Sequence, residues 1–253
     1  MPFQRVQPEK LSGAVVRQIE LLILRGILRP GERLPSERDL AEKLGVSRPS
    51  LREAIAALQS RGLLESRANA GIFVSASLGA AFPPALTQLF SAHPEAVFDY
   101  IAFRRDMEGL AAERAARHGT ETDLRLVQTL LEKMEHSSGD PEQDSQLDAA
   151  FHLAIIEAGH NVVMLHMMRS MYDLLRQGVF YNRQVMFKQR TTRAMLLDQH
   201  RLINAALQAR DPAAARAAIE THLDYVRTAL SDQHAAERNE TIARQRLEHE
   251  QAR

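Results

Sequence analysis

Asp148 and His152 stand four residues apart in "LDAAFHLAIIEAGHN", a spacing that sets both side chains on one face of a helix. His200, in "LLDQHRLINAAL", and His222, in "AAIETHLDYV", lie amid apolar neighbours, so both point at least partly inward. Three imidazoles and one carboxylate can hold a divalent transition metal and leave positions open for water or an anion. From spacing alone the signal is weak, because an inward histidine is more often a core residue hydrogen-bonded to a carbonyl. The histidines at 93, 118, 136, 160, 166, 234 and 249 are assigned to surfaces or packing. An open metal site could also activate water in a metal-dependent hydrolase. Against that, the chain has no HExxH, no phosphate-cradling glycine loop and no nucleophile elbow.

A second set of reactive side chains lies in "LPSERDLAEKLGVSRPSLREAIAALQSRGLLE". Arg38, Arg48 and Arg52 recur around one sharp turn, with Ser47 and Ser50 beside them. Arginine carries the planar fork that grips guanine O6 and N7 or a phosphate. Two short helices joined by "LGVS" make a helix-turn-helix pattern. Ser36 opens a capping pattern, Gly45 ends the first helix, Ser47 caps the second, and Pro49 falls in its first turn. Leu40, Ala41 and Leu44 can pack on Val46, Leu51, Ile55 and Leu58. That packing would hold the second helix with its N-terminal end outward, where the helix dipole favours phosphate. The stretch "LLESRANAGIFVSA" then reads as a small hairpin beside the DNA, a wing.

The elements that must position these residues are mostly helical. Residues 11–28 place Leu11, Val15, Ile19, Leu22 and Ile23 at helical spacing, and "RPGERLP" makes a turn. "SASLGAAFPP" reads as a linker, and everything after it carries helical patterns with no strand-like alternation. The expected organisation is a DNA-binding domain over 1–76, a linker and short helix over 77–94, a helical domain over 95–231 and a polar tail over 232–253.

Composition sets outer limits. Lys and Arg equal Asp and Glu at 32 each, which argues against a uniformly basic nucleic-acid coat. Residues 1–80 nevertheless carry 12 Lys and Arg against 8 Asp and Glu, a mildly basic head on an acidic body. The absence of cysteine excludes disulfides and thiolate ligands. No apolar run approaches the roughly 20 residues that cross a bilayer, and "MPFQRVQPEKLSG" lacks the apolar centre of a signal peptide. A cytoplasmic protein with no membrane partner is expected.

The stretch "GILRPGERLPSERDLAEKLGVSRPSLREAIAALQSRGLLESRANAGIFV" resembles the winged helix-turn-helix of GntR-type bacterial transcription regulators. The resemblance implies DNA contacts from Arg38, Arg48 and Arg52, phosphate contacts from Ser47 and Ser50, and a wing tip around Asn69 and Gly71 that enters the minor groove. Where the family often reads "RQGSGTFV" this chain has "RANAGIFV", with Asn69 in place of a glycine. Asn tolerates the left-handed backbone better than most residues.

The helical half resembles the FCD effector domain of the FadR subfamily. The fold implied is mainly α: a winged helix-turn-helix followed by an antiparallel all-α bundle of six or seven helices. Asp148, His152, His200 and His222 match the metal ligands of that group, Asn161 matches an Asn after the ligand helix, and Arg104 matches an arginine that reaches the effector pocket. Arg104 can also simply pair with Glu108, one turn on. Tyr181, Asn182 and Arg193 are further candidates to line the pocket. The expected molecule is a homodimeric repressor that binds a pseudo-palindromic double-stranded operator and senses a small carboxylate such as pyruvate or lactate. The expected cofactor is zinc, with nickel, manganese and iron as alternatives, and the rival role for it is purely structural.

Overall fold

Short polar side chains set where the N-terminal helices begin. Helices α1 (Leu11–Leu24), α2 (Glu37–Leu44) and α3 (Arg48–Ser60) follow in order. The backbone N–H of Asp39 donates to Ser36 Oγ, and that of Ser50 to Ser47 Oγ, each at 3.3 Å. These caps satisfy N–H groups that have no partner within the helix. Gly45 ends α2 at φ +64°, where a side chain would be strained.

These elements come from a computed structural model that describes residues 10–68, 70–79, 82–93, 95–176 and 190–251. Asn69, Tyr181 and Asn182 lie outside the described residues. The chain divides into two units, Met1–Ala81 and Phe82–Arg253.

In the first unit the apolar faces of the three helices meet. Val15, Val16, Ile19 and Ile23 of α1, Ala41 of α2, and Leu51, Ala54, Ile55 and Leu58 of α3 form its core. Leu11 is not part of it: at the open end of α1 it is 60% exposed, and Val16 takes the inward place instead. Strands β1 (Leu64–Arg67) and β2 (Gly71–Val74) pair antiparallel, Leu64 opposite Val74 and Arg67 opposite Gly71. The "RPGERLP" segment is more than a turn. Leu34 N–H donates to Ile72 O and Val74 N–H donates to Glu32 O, both at 2.9 Å, which adds a short third run to the hairpin. Pairing with a partner so distant in sequence leaves no mark in local spacing.

The second unit is built from α4 (Pro84–Ala92), α5 (Glu95–His118), α6 (Glu121–Glu135), α7 (Pro141–Ala158) and α8 (Val162–Arg176), then α9 (Arg190–Gln208) and α10 (Pro212–Gln251). Asp140, Asn161 and Asp211 supply caps through their carboxylate or amide oxygens. Asn161 therefore has a local role at the start of α8. Helix α5 lies along α10 and also touches α7; α6 packs on α7 and α9; α9 packs on α10. Small residues let α5 and α10 approach: a Cβ on Gly109 would meet Arg216 and Glu220 at 3.4 Å. Phe151, Ile155, Ile203, Leu207, Ile219 and Leu223 fill the centre, each contributing about 1.5–3 kcal/mol by burial.

Helix α10 does not stop at the bundle. The tail read as a separate polar stretch continues the helix as far as Gln251, mostly exposed beyond Leu230. Pairs such as Arg244–Glu240 and Gln233–Glu237 at i,i+4 support it in solvent. Among the described residues, no helix is long and apolar enough to cross a membrane.

Candidate functional site

Three helices bring four ligand-type side chains together in the second unit. Helix α7 presents Asp148 and His152 from one face, α9 brings His200, and α10 brings His222; all four are buried. One ligand atom from each lies within 4.8 Å of the others. Asp148 Oδ1 is 3.1 Å from His200 Nε2 and 3.7 Å from His152 Nε2, and those two nitrogens are 3.3 Å apart. Phe151 meets the rings of His152 and His200 edge-on, at 5.8 and 5.0 Å between centroids, and walls one side with hydrocarbon.

Nitrogens that converge on one another in a dry interior satisfy each other poorly. A divalent cation would satisfy all of them, and a set of three imidazoles and one carboxylate suits a transition metal of borderline character. The donor set therefore fits a metal.

The far sides of two of these imidazoles meet partners. His222 Nδ1 is 3.0 Å from Gln199 Oε1. His152 Nδ1 is 2.7 Å from Glu108 Oε2, a short and bent contact. On its other oxygen, Glu108 accepts from Arg104 Nε at 2.6 Å and from the Tyr172 hydroxyl at 2.8 Å. Burial alone would raise the Glu108 carboxyl, but Arg104 and His152 outweigh it and hold it well below the usual carboxylate range. Burial pushes the Tyr172 phenol well above its ordinary value, so it stays a neutral donor.

Of the residues expected to line an effector pocket, Arg104 and Arg193 lie among the described residues, and each has partners of its own. Arg104 is buried against Glu108 and Tyr172. Arg193 donates from Nε to Asp144 Oδ2 at 2.5 Å and from its fork to Ser137 O at 3.3 Å. With Met134, Asp144, Leu197 and His200 it lines a cavity of about 10 Å³ beside the four-residue centre. Gln199 and the contact of Glu108 with His152 were missed by sequence reasoning. The Gln199 position carried a weak signal, as the neighbour of His200; the Glu108 contact crosses between helices and carried none.

In the first unit the arginines of the helix-turn-helix are exposed. Arg52 Nε pairs with Glu37 Oε2 at 2.8 Å and Arg38 Nε with Asp39 Oδ1 at 3.3 Å. Arg48 is exposed at the first position of α3. Ser47 and Ser50 share a hydroxyl–hydroxyl bond of 2.9 Å at the same helix start. Gly71 begins β2 at φ +104°, and a Cβ there would press on the Arg33 guanidinium at 3.3 Å. Arg33 and Arg67, the latter 4.2 Å above the Phe73 ring, add two cations near the turn end of the hairpin that were not singled out by spacing.

Residues 11–74 match the gntR family of bacterial regulatory proteins, and residues 99–225 match the FCD domain. The chain belongs to the GntR family, with an FCD domain. It is 38% identical over 229 residues to a protein of Escherichia coli (strain K12) named for regulating the L-lactate dehydrogenase operon, covering 89% of this chain and 88% of that one. It is 36% identical to the Glc operon transcriptional activator of the same strain, covering 88% of this chain and 89% of the other. Among solved structures, Streptococcus agalactiae GntR matches with TM-score 0.56 and 27% identity, covering 86% of this chain and 99% of that one. This GntR-family chain is a DNA-binding transcription regulator, and the relatives it matches are regulators rather than enzymes.

Proposed function

We propose that the protein is a homodimeric repressor that senses a small carboxylate, of the lactate or pyruvate kind, at a zinc centre in its helical unit. The observation that carries the proposal is the convergence of Asp148, His152, His200 and His222 in a buried centre. The likeness to a regulator of an L-lactate dehydrogenase operon supports the choice of acid. A bound zinc would supply positive charge and exchangeable positions for a carboxylate oxygen. Arg193, beside His200 and paired with Asp144, is the side chain assigned to receive the remaining charge of the acid.

On the DNA side, Arg48 and Arg52 read base edges or phosphate from the start of α3. Arg38, Ser47 and Ser50 hold the backbone, and the wing at Asn69–Gly71 meets the minor groove. A two-fold dimer presents two copies of α3 to a pseudo-palindromic operator. An acid that prefers one arrangement of the molecule changes DNA affinity by that difference in binding free energy, and DNA changes the affinity for the acid equally.

One observation favours a purely structural metal as the second reading. The cavity of about 10 Å³ beside His200 has room for about one water, which suits a metal that takes no acid. Thermal unfolding of the zinc-loaded protein against a panel of small carboxylates separates the two readings. A shift for one acid that disappears in His200→Ala supports the sensor. No shift for any acid, with collapse of stability in His200→Ala, supports the structural metal.

A further inference from the structure

We infer that Glu108 is a positioning residue that sets the metal affinity of the buried centre by orienting His152, and that Arg104 and Tyr172 act through Glu108. The inference rests on the proposal that Asp148, His152, His200 and His222 hold a metal. It gives Arg104 a different task from the effector contact that family resemblance implies.

The two oxygens of Glu108 are used differently. Oε1 is occupied by Arg104 Nε at 2.6 Å and the Tyr172 hydroxyl at 2.8 Å. Arg104 also donates to the Tyr172 oxygen at 3.1 Å, and its guanidinium lies 5.1 Å from that ring's centroid. These contacts close a triangle that fixes the plane of the carboxylate. Oε2 is left pointing at His152 Nδ1, 2.7 Å away, and among the described residues neither of these two atoms has a hydrogen-bond partner in any other direction. An Arg–Glu pair kept only for packing has no need to aim its second oxygen at a ring nitrogen. Here that nitrogen belongs to an imidazole whose Nε2 faces Asp148 and His200.

A carboxylate on Nδ1–H fixes the tautomer that leaves Nε2 with its lone pair toward the metal, and it makes that nitrogen a stronger donor. His222 has the neutral version of the same support, since Gln199 offers it an amide oxygen at 3.0 Å. His152 thus faces a charged outer partner and His222 an uncharged one. Residues from α5, α7 and α8 contribute to the charged one, so its geometry is fixed by the packing of the bundle as well as by the ligands.

The test is zinc affinity of the full chain, measured by competition with a chromophoric chelator, alongside unfolding of the metal-free protein. Glu108→Gln is expected to weaken zinc binding about 10- to 100-fold, and Gln199→Leu by less. Cobalt(II) bound to Glu108→Gln is expected to show shifted visible bands, a change that a purely structural role would not produce. If Glu108→Gln fails to fold, Tyr172→Phe decides, because it keeps the ring and the Arg104–Glu108 pair while removing one donor from Oε1; a several-fold loss of zinc affinity is expected. Folded variants that keep wild-type zinc affinity, whatever their stability, overturn the inference. A wild-type chain that binds no zinc overturns the metal proposal itself, and the two failures are therefore distinct.

Discussion

Two arginine–glutamate pairs in this protein have nearly the same geometry and opposite surroundings. Arg52 and Glu37, in the DNA-binding unit, meet at 2.8 Å with side chains 64% and 32% exposed. Arg104 and Glu108, in the helical unit, meet at 2.6 Å with 1% exposure each. An exposed pair is worth roughly 0.2–1 kcal/mol, so Arg52 can leave Glu37 for a phosphate at little cost. The buried pair has no such freedom, because releasing either partner strands a charge away from water. The same chemistry is thus exchangeable on one unit and fixed in the other. The arginine proposed to meet DNA sits in a pair that solvent already weakens, and the arginine beside the proposed metal centre sits in a pair closed off from water.

The sharpest way to break this comparison is to remove one arginine from each pair. Arg104→Ala leaves Glu108 buried without its guanidinium and is expected to cost about 3–5 kcal/mol in urea unfolding. Arg52→Ala is expected to cost less than about 1 kcal/mol in the same experiment. Equal losses would mean that burial does not separate the two pairs. The order should reverse on DNA. Arg48→Ala and Arg52→Ala are each expected to lose about 1–3 kcal/mol of operator binding where they read a base. Where they touch only phosphate, the loss should be uniform across sequences, with the salt slope reduced by about one. Titrations at two salt concentrations, on operator and on scrambled DNA, tell these apart.

How much of this was legible in the sequence also follows the two units. The DNA-binding unit is made of local signals: Ser36, Gly45, Ser47 and Pro49 mark helix ends by their own chemistry, and each lies where its cap or turn requires. What escaped there was the pairing of Glu32 and Leu34 with β2, which depends on a distant strand. In the helical unit, the i,i+4 spacing of Asp148 and His152 put two donors on one face. Nothing in periodicity could show that His200 and His222 from other helices would meet them at under 5 Å; family resemblance supplied that. The outer partners were least visible. Glu108 was read only against Arg104, its neighbour on the same helix, because an i,i+4 pair is visible in sequence and a contact from α5 to α7 is not. Arg193 was named as a candidate, but its pairing with Asp144 again crosses helices.

Between the two extremes stands a pair at the start of α6, which gives the finest test. Asp123 Oδ2 accepts from the Thr120 backbone N–H at 2.8 Å and from its hydroxyl at 2.6 Å, and it lies 2.9 Å from His160 Nε2. Its side chain is 27% exposed, so solvent screens it only in part. Burial would raise its carboxyl, but the two Thr120 hydrogen bonds and then His160 outweigh that and lower it. A lowered value in the folded state means that the stabilisation is complete above the ordinary carboxylate range and is lost as pH falls through the folded value. Asp123→Asn is therefore expected to cost about 1 kcal/mol near neutral pH, in line with losing part of a capping box. It should cost progressively less as pH falls below the ordinary carboxylate range and through the lowered folded value, where the wild-type aspartate becomes protonated. Urea midpoints of both proteins across that range would show the two curves converging in acid. Parallel curves would mean that Asp123 acts only as a neutral cap, and that partial burial adds nothing to its charge.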